Sequence, residues 1–326
     1  MKSEILSILK SSETYVSGQT LCEHFGVSRT AIWKAIEQLK KTGYSIEAVR
    51  NKGYRLIGQL DILSKEEIES QITTETMGKQ VVYYGETDST NIKAKLLGES
   101  GAESGMLVVA NRQVSGRGRR GREWISEANT NIYMTILLRP DIEPSIAPML
   151  TLVMAITAAK AIIHVTGLEA KIKWPNDIVV NGKKVCGILT EMSAQTDYIN
   201  HVVIGVGINA NEEDFPRPLN DKATSLKIEG GKPILRSQLI GVIMSEFEKY
   251  YNEFIIEKNL SAIKDEYNSL LVNKDSEIMI LNSEGGYKAF GLGINDIGEL
   301  LVKMQDGSIR EIYAGEVSVR GIYGYV

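Results

Sequence analysis

The chain has 326 residues, 43% hydrophobic and 24% charged, with a formal net charge of −4; it is too long for one small module and apolar enough for one large core plus one or two lesser ones, so two or three domains are expected. It opens on MKSEILSILK, with no long apolar stretch or small-residue cleavage site, so no secretory leader is expected. Cys22 and Cys186 are the only cysteines, without metal-type spacing, and His24, His164 and His201 are scattered, which disfavours disulfide and zinc frameworks and fits a reducing cytoplasm.

Residues 1–60 hold nine Lys and Arg against five Asp and Glu, a net +4 that leaves −8 for the remainder. The basic end is where an anionic polymer would bind. Ile5, Leu6 and Leu9 keep helical spacing, Ser17 precedes GQTLCEHF, Gly26 breaks the pattern, and Ser28 stands before RTAIWKAIEQLKK as an N-cap. Ile32, Ala35, Ile36 and Leu39 make the inward stripe of the last helix. Ser28, Arg29, Thr30, Trp33 and Lys34 are left on its outer, N-terminal face, where a recognition helix meets a groove. After Gly43, YSIEAVRNKGYRLI reads as two short strands around Asn51, Lys52 and Gly53, a basic wing that adds Arg50 and Lys52 as DNA contacts. A three-helix packing module would share the helical pattern; the basic bias and the wing favour DNA. Each neutralised phosphate adds about one unit to the salt dependence of binding, so a single copy is expected to bind weakly and a dimer on two half-sites to be the working form.

The linker falls at 57–63, after which Ser64 and Glu67 form a capping box opening a helix through about Gln71. From there to about residue 270, strand-like runs (QVVYYGE, GMLVVANRQ, NIYMTILLRP, HVVIGVGIN) mix with long helices (SIAPMLTLVMAITAAKAIIHVTG, RSQLIGVIMSEFEKYYNEFI). Strands in quick succession predict an α+β domain, a mixed or antiparallel sheet with helices on one side. The most apolar window, 149–165, carries Thr151, Thr157, Lys160 and His164 and falls short of the roughly eighteen apolar residues of a membrane span, so it reads as a buried helix and no membrane partner is expected. The last fifty residues turn to short strands separated by NSEGG, NDIG and QDGS, a small β-barrel. The domains read 1–60, 64–270 and 274–326.

Within the middle segment TDSTN, residues 87–91, ends a strand and suits either a helix cap or a set of donors and acceptors for a small ligand. SGRGRRGREW follows, with Arg117, Arg119, Arg120 and Arg122 among Gly116, Gly118 and Gly121. Glycines let backbone N–H groups converge and arginines supply forked donors, so the guest is an anion. Ordering residues 116–122 costs on the order of 1–2 kcal/mol each, about 7–14 kcal/mol together, against about 1.5–3 kcal/mol for a charge-assisted hydrogen bond. Several such bonds must form at once, so the loop is expected to close over a phosphate-bearing ligand. An RNA-binding Arg-Gly tract would be longer and repeated, and no Gly-Lys-Ser/Thr of a Walker loop follows.

KWPNDIVVNGKKVCGIL holds Asn181 and Gly182 between β-rich runs, a hairpin signal. A two-residue turn pairs Val180 with Lys183, Val179 with Lys184 and Asp177 with Cys186. Asp177, Lys184, Cys186 and Ile188 then share a face, with Asp177 and Lys184 about 7–8 Å apart on the diagonal. Spacing alone leaves a rim ion pair and a functional lysine both open. In GVGIN, residues 205–209, bare glycines on a strand suggest that another backbone or a flat ligand lies against it.

TDSTN, Gln113 with GRGRRGR and Trp124, KWPND, KVCGIL and GVGIN stand in one order along the chain. In that order they resemble the bacterial bifunctional biotin–protein ligases that also repress the biotin operon, from the winged helix to the C-terminal barrel; GRGRRG and KWPND are the most specific parts. The resemblance implies an α+β chain: an N-terminal winged helix-turn-helix, a central mixed-sheet α/β ligase domain and a small SH3-like barrel. It implies that biotin and ATP, with Mg²⁺, give biotinyl-5′-AMP and pyrophosphate. A lysine of a biotin carboxyl carrier protein, of acetyl-CoA carboxylase or a related carboxylase, then attacks the adenylate. The adenylate would also act as corepressor, favouring a homodimer on operator DNA.

Carried over position by position, Ser89, Thr90 and Gln113 would bind the ureido head of biotin, with Asn91 and Gly187 beside it. Gly116, Arg117, Gly118 and Arg119 would close over the valeryl carboxylate and phosphate, and Lys184 would contact the reacting oxygens. Arg120, Arg122, Trp124, Asn209 and Phe215 would lie toward the nucleotide, and Asp177 would orient or deprotonate the acceptor amine. Cys186 stands where the family pattern has a small residue, and the adenine-contacting part of residues 211–226 has no recognisable motif. A lipoate-type acyl–carrier ligase and a non-enzymatic, biotin-sensing DNA-binding regulator remain the rival readings.

Overall fold

The computed structural model describes residues 1–58, 61–217, 219–282, 285–314, 318–321 and 325–326; Gln59 and Leu60, in the expected linker, and Pro218, in the segment expected to face adenine, lie outside them.

Short capped helices build the N-terminal unit: α1 (Lys2–Ser11), α2 (Gly18–Phe25) and α3 (Arg29–Lys41). Ser17 Oγ accepts from Thr20 N at 3.0 Å and Ser28 Oγ from Ala31 N at 3.3 Å, satisfying donors that a helix start leaves unpaired. Gly26 ends α2 in the left-handed region at φ 63°. Ile5, Leu6, Leu9, Leu21, Ile32, Ala35, Ile36 and Leu39 form a small core of their own. A hairpin of β1 (Ile46–Val49) and β2 (Gly53–Leu56) follows, and Tyr54 exchanges two 2.8 Å backbone hydrogen bonds with Val16, docking the wing on the helices.

The second unit comprises α4 (Lys65–Glu69), β3 (Val81–Tyr84), α5 (Thr90–Glu99), β4 (Leu107–Ala110), β5 (Ile132–Leu138), α6 (Leu150–Thr166), β6 (Lys171–Lys173), β7 (Asp177–Val180), β8 (Lys183–Ala194), β9 (Ile199–Ile208), α7 (Leu226–Gly230) and α8 (Arg236–Glu257). Its seven strands lie in the order β3-β4-β5-β9-β8-β7-β6; β3 and β4 are parallel and the remaining neighbours antiparallel. Every residue of β4 and β5 is buried, which requires cover on both faces. Helices α6 and α8 cover one face in the main core, while α5 covers the other through Ala94 against Val108, Leu137 and Val203. The expected one-sided arrangement is therefore corrected: α5 buries the small residues Ala94 and Gly98, which pack close to a sheet without a strong apolar stripe. The segment Ala147–Thr166 is long and apolar enough to cross a membrane by length and composition; here it is packed between α8 and the sheet.

After α9 (Lys264–Leu270), strands β10 (Glu277–Asn282), β11 (Gly285–Ile294), β12 (Leu300–Lys303), β13 (Ile309–Ile312) and β14 (Ser318–Gly321) form an antiparallel, barrel-like sheet in the order β13-β12-β11-β10-β14. Ile278, Ile280, Leu300 and Val302 join the main core, and Trp174 Nε1 donates to Gly298 O at 3.0 Å. The C-terminal sheet is thus fastened to the central one.

Two carboxylates tie the N-terminal unit down. Ser64 caps α4 through Glu67 N at 3.2 Å, but the Glu67 carboxylate, 5% exposed, is drawn away from the reciprocal half of the capping box. It accepts from Lys10, from Tyr44 Oη at 2.6 Å and from Ser237 Oγ on α8 at 3.0 Å. Asp61, in the linker, receives Arg236 Nε at 2.6 Å, Arg236 N at 3.0 Å and Asn211 Nδ2 at 2.9 Å. Both anchors hold the start of α8.

Candidate functional site

The β7–β8 hairpin turns on Asn181 and Gly182, at φ 49° and 75°, the positive values that favour Asn-Gly there. Val180 faces Lys183 and Val179 faces Lys184; then the register shifts, so Ile178 faces Cys186 and Asp177 faces Gly187. The bulge corrects the expected face. Cys186 and Ile188 belong to the main core, while Lys184 Nζ comes to 2.6 Å from Asp177 Oδ1. Full burial pushes the Cys186 thiol far up, so it acts as a small apolar side chain rather than a nucleophile. Asp177 Oδ2 accepts from the Tyr325 hydroxyl.

The bare glycines have a guest, and it belongs to the chain itself. A Cβ on Gly207 would lie 2.6 Å from Trp124 Cε2, one on Gly187 2.8 Å from Trp124 Cζ3, and one on Gly205 2.2 Å from Asn91 Oδ1. The indole therefore lies flat on the two strands, with the Lys184 ammonium 5.2 Å from its ring centre, a cation–π distance. Its Nε1–H is buried without a partner among the described residues.

Gln113 Oε1 accepts from Thr90 N at 2.8 Å and Thr90 Oγ1 at 3.1 Å, and Gln113 Nε2 donates to Ser126 Oγ at 3.0 Å. Ser89 is the N-cap residue of α5, yet its side chain makes no capping bond. Asp88, ahead of the helix, accepts from Ser89 N at 2.7 Å and Thr87 Oγ1 at 2.9 Å, and Ser89 lines the pocket wall. Asn91 is committed internally: its amide donates to Glu191 at 2.7 Å and accepts from Thr135 Oγ1 at 2.7 Å. Burial raises the Glu191 carboxyl, but the hydrogen bonds from Lys95 and Asn91 outweigh it and hold the group below its usual range.

The Arg-Gly segment is an arch. Trp124 N donates to Gly116 O at 2.9 Å and Gly118 N to Arg122 O at 2.7 Å, Arg117 bridges to Glu123, and Arg120 and Gly121 turn at φ 58° and 70°. A Cβ on Gly116 would stand 2.4 Å from Trp124 O, so the base of the arch requires glycine. Arg117, Arg120 and Arg122 are exposed. Arg119 turns inward, donating to Asn176 Oδ1 at 2.9 Å and to Ala314 O beyond β13; burial draws its guanidinium down, opposed by the charge of Asp177.

One pocket of about 50 Å³ gathers Ser89, Thr90, Asn91, Gln113, Arg117, Gly118, Arg119, Trp124, Lys184 and Gly187. Gly205, from the GVGIN run, lines it too, as do Tyr133 and Asn176, which were not singled out from the sequence; Asn176 lies inside KWPND, whereas Tyr133 sits in a continuous apolar run with no distinguishing signal. Asn209 and Phe215 do not line it: Asn209 Nδ2 donates to Thr224 O at 3.1 Å, and Phe215 N donates to Asp214 Oδ1 at 2.8 Å. Arg120 and Arg122 stay outside as well. Ser28, Arg29, Thr30, Trp33, Lys34, Arg50 and Lys52 are all exposed, with Arg29 Nη2 donating to Gln19 Oε1 at 3.1 Å.

Residues 84–209 match the model of the biotin/lipoate A/B protein ligase family and residues 2–55 that of an HTH domain. The chain is 41% identical over 307 residues to the bifunctional ligase/repressor BirA of Bacillus subtilis, covering 94% of each chain. It is 30% identical over 322 residues to that of Escherichia coli, covering 97% of this chain and 96% of the relative. Among solved structures, the Aquifex aeolicus biotin protein ligase in complex with biotin and ATP superposes with a TM-score of 0.66 at 30% identity, covering 74% of this chain and 99% of that one.

Proposed function

Since this chain belongs to the biotin/lipoate A/B protein ligase family and is a biotin–protein ligase with a DNA-binding repressor domain, we propose a division of labour along its pocket. Uncharged hydrogen-bonding groups (Ser89, Thr90, Gln113) receive the ureido ring of biotin, the Trp124 and glycine surface receives its apolar middle, and Lys184 and Arg119 receive the carboxylate and the α-phosphate. The observation that carries this reading is the lining of one pocket, which brings the neutral donors and acceptors of Ser89, Thr90 and Gln113 together with the cations of Lys184 and Arg119. A pocket of about 50 Å³ has room for little more than a water or two, so Trp124 moves when biotin enters. Its unpartnered Nε1–H then donates to a ligand oxygen. Asn91 supports the floor from below, Gly187 lets the ligand approach, and Gly116, Arg117 and Gly118 carry the arch.

A carboxylate is a weak nucleophile toward an anionic phosphate. The site therefore neutralises the repulsion and holds the two in line, the part of Lys184 and Arg119. Magnesium would enter with the phosphates of ATP and would add to the charge neutralisation supplied by Lys184 and Arg119. The adenylate is a mixed anhydride, and the arch keeps water from it. In the second step the carrier lysine ammonium gives a proton to Asp177 and the free amine attacks the acyl carbon. The bond to AMP then breaks with its electrons on the phosphate, and the second nitrogen proton passes to solvent. Arg120 and Arg122, on the exposed side of the arch, and Phe215 face the nucleotide; Asn209 acts indirectly, by holding Thr224.

The carrier is the biotin carboxyl carrier protein of acetyl-CoA carboxylase or a related carboxylase. The adenylate serves as corepressor: loop closure orders a homodimer surface, and two winged helices then meet operator DNA through Ser28, Arg29, Thr30, Trp33, Lys34, Arg50 and Lys52, in the cytoplasm. The working units are 1–60, 64–270 and 274–326. Incubation with biotin, MgATP and a carrier domain tests the ligase; no pyrophosphate release would overturn it. Sedimentation with and without biotin and ATP tests the ligand-linked dimer, which an unchanged association state would exclude.

A further inference from the structure

Tyr325 comes from the C-terminal sheet domain, yet it touches the centre of the proposed chemistry. Its hydroxyl donates to Asp177 Oδ2, while Asp177 Oδ1 holds Lys184 at 2.6 Å. The carboxylate is thus shared between a cation that faces the pocket and a neutral donor that does not. Lys173, 4% exposed and directly opposite Asp177 across β6 and β7, places its ammonium 3.2 Å from the centre of the Tyr325 ring. A cation against the face of a phenol holds the ring in place and draws electron density from its oxygen, strengthening the hydroxyl as a donor.

We propose that Tyr325 is a positioning residue for the transfer step, acting through Asp177. This role rests on those given above to Lys184 and Asp177. When Lys184 turns to ligand oxygens, Asp177 Oδ1 loses its contact, and a carboxylate held at neither oxygen is free to rotate away. Tyr325 prevents this. Fixing Oδ2 leaves Oδ1 aimed where Lys184 was, ready to accept the proton of the incoming lysine. The C-terminal domain thereby supplies one atom to the order of the site, as it supplies Ala314 O to Arg119.

The test is a double-mutant cycle on the full-length chain, read as single-turnover transfer from preformed biotinyl-5′-AMP to a carrier domain. Tyr325→Phe keeps the ring against Lys173 and removes only the donor. It is expected to slow transfer about tenfold, the usual weight of one hydrogen bond to a charged group, with the KM for biotin in adenylation unchanged. In an Asp177→Asn background the same substitution is expected to have no further effect. Tyr325→Phe transferring at the wild-type rate would overturn the proposal, and so would a loss of equal size in both backgrounds. Damage confined to Tyr325→Leu, which also strips the ring from Lys173, would assign the contact to packing and likewise reject it. Asp177→Asn transferring as wild type would remove the role given to Asp177 itself, a failure of the underlying reading that is recognised without reference to Tyr325.

Discussion

Lys184 and Asp177 meet at 2.6 Å across a hairpin whose plain register would hold them on a diagonal. They stay diagonal in the observed register, where Asp177 faces Gly187 and Val179 faces Lys184, and the length of the lysine closes the gap; the bulge at Val185 puts Gly187 on that same face. Lys184→Ala is expected to lower biotin- and MgATP-dependent pyrophosphate release by about 100-fold or more, the scale of removing a charge-stabilising group. Transfer from supplied adenylate is expected to suffer much less. Equal losses in both half-reactions would mean that Lys184 only shapes the pocket.

Arg119 joins the arch to Asn176 and to the carbonyl of Ala314. Arg119→Gly cuts both ties while leaving the rest of the arch, so adenylate is expected to form and escape. Chromatography should find free biotinyl-AMP in solution, and bystander proteins should acquire biotin on their lysines. A variant that retains adenylate as firmly as the wild type contradicts this assignment.

Gly207→Ala places a methyl 2.6–2.8 Å from the Trp124 indole, closer than carbon atoms tolerate. The same methyl stands on the strand surface that the apolar middle of biotin takes once the indole has moved, and overpacking of this kind costs about 1–3 kcal/mol, so biotin affinity measured by calorimetry is expected to fall about tenfold or more. The loss is expected to persist when Trp124 is shortened as well; an affinity equal to or above that of the wild type would show that only the indole, and not the ligand, meets position 207.

Asp61 pairs with Arg236, a guanidinium 2% exposed. Asp61→Ala leaves that charge buried without a counterion, held by the carbonyls of Asn131 and of residue 61, a change expected to cost about 3–5 kcal/mol in denaturant unfolding. Removing both partners, in Asp61→Ala with Arg236→Met, should cost less than the single change. A neutral single variant would show the pair to be incidental.

His201 is 2% exposed and packed against Gly98; burial first, and the nearby Arg139 second, hold its imidazole below the ordinary 6.5. The unfolded chain takes up this proton before the folded one, so the stability contribution is intact above about pH 6.5 and is lost as pH falls from there through the lower folded value. The drop in thermal midpoint between pH 7.5 and 5.5 should be smaller in His201→Gln. Parallel declines in the two proteins would assign the acid sensitivity to other groups.

The features legible in the sequence are those written locally. Ser17 and Ser28 announce helix starts, Asn181 and Gly182 announce a turn, and in both cases the chemistry lies within four residues of what it determines. The charged and glycine-rich segment before Trp124 likewise declares an anion site. The bulge at Val185 has no such mark, because it is decided by whether Cys186 or Lys184 is better placed in the core. Helix α5 hides on the second face of the sheet because Ala94 and Gly98 give no apolar rhythm. Asn91 and Ser89 stand two residues apart in the chain yet part company in space, one committed to Glu191 and Thr135, the other left to the pocket wall. Tyr325 is more remote still: nothing near it in the chain indicates Asp177, and only the packing of the C-terminal sheet brings the two together.

Trp124 resting on Gly187 and Gly207 gives the site a built-in competitor. Whatever settles on those strands must first evict an aromatic ring that already fits them, so a dissociation constant for this protein records the difference between two occupants rather than the strength of one. Substitutions that loosen the indole would then tighten an incoming ligand without touching it, and inhibitors designed against the glycine surface alone would be weaker than their contacts suggest.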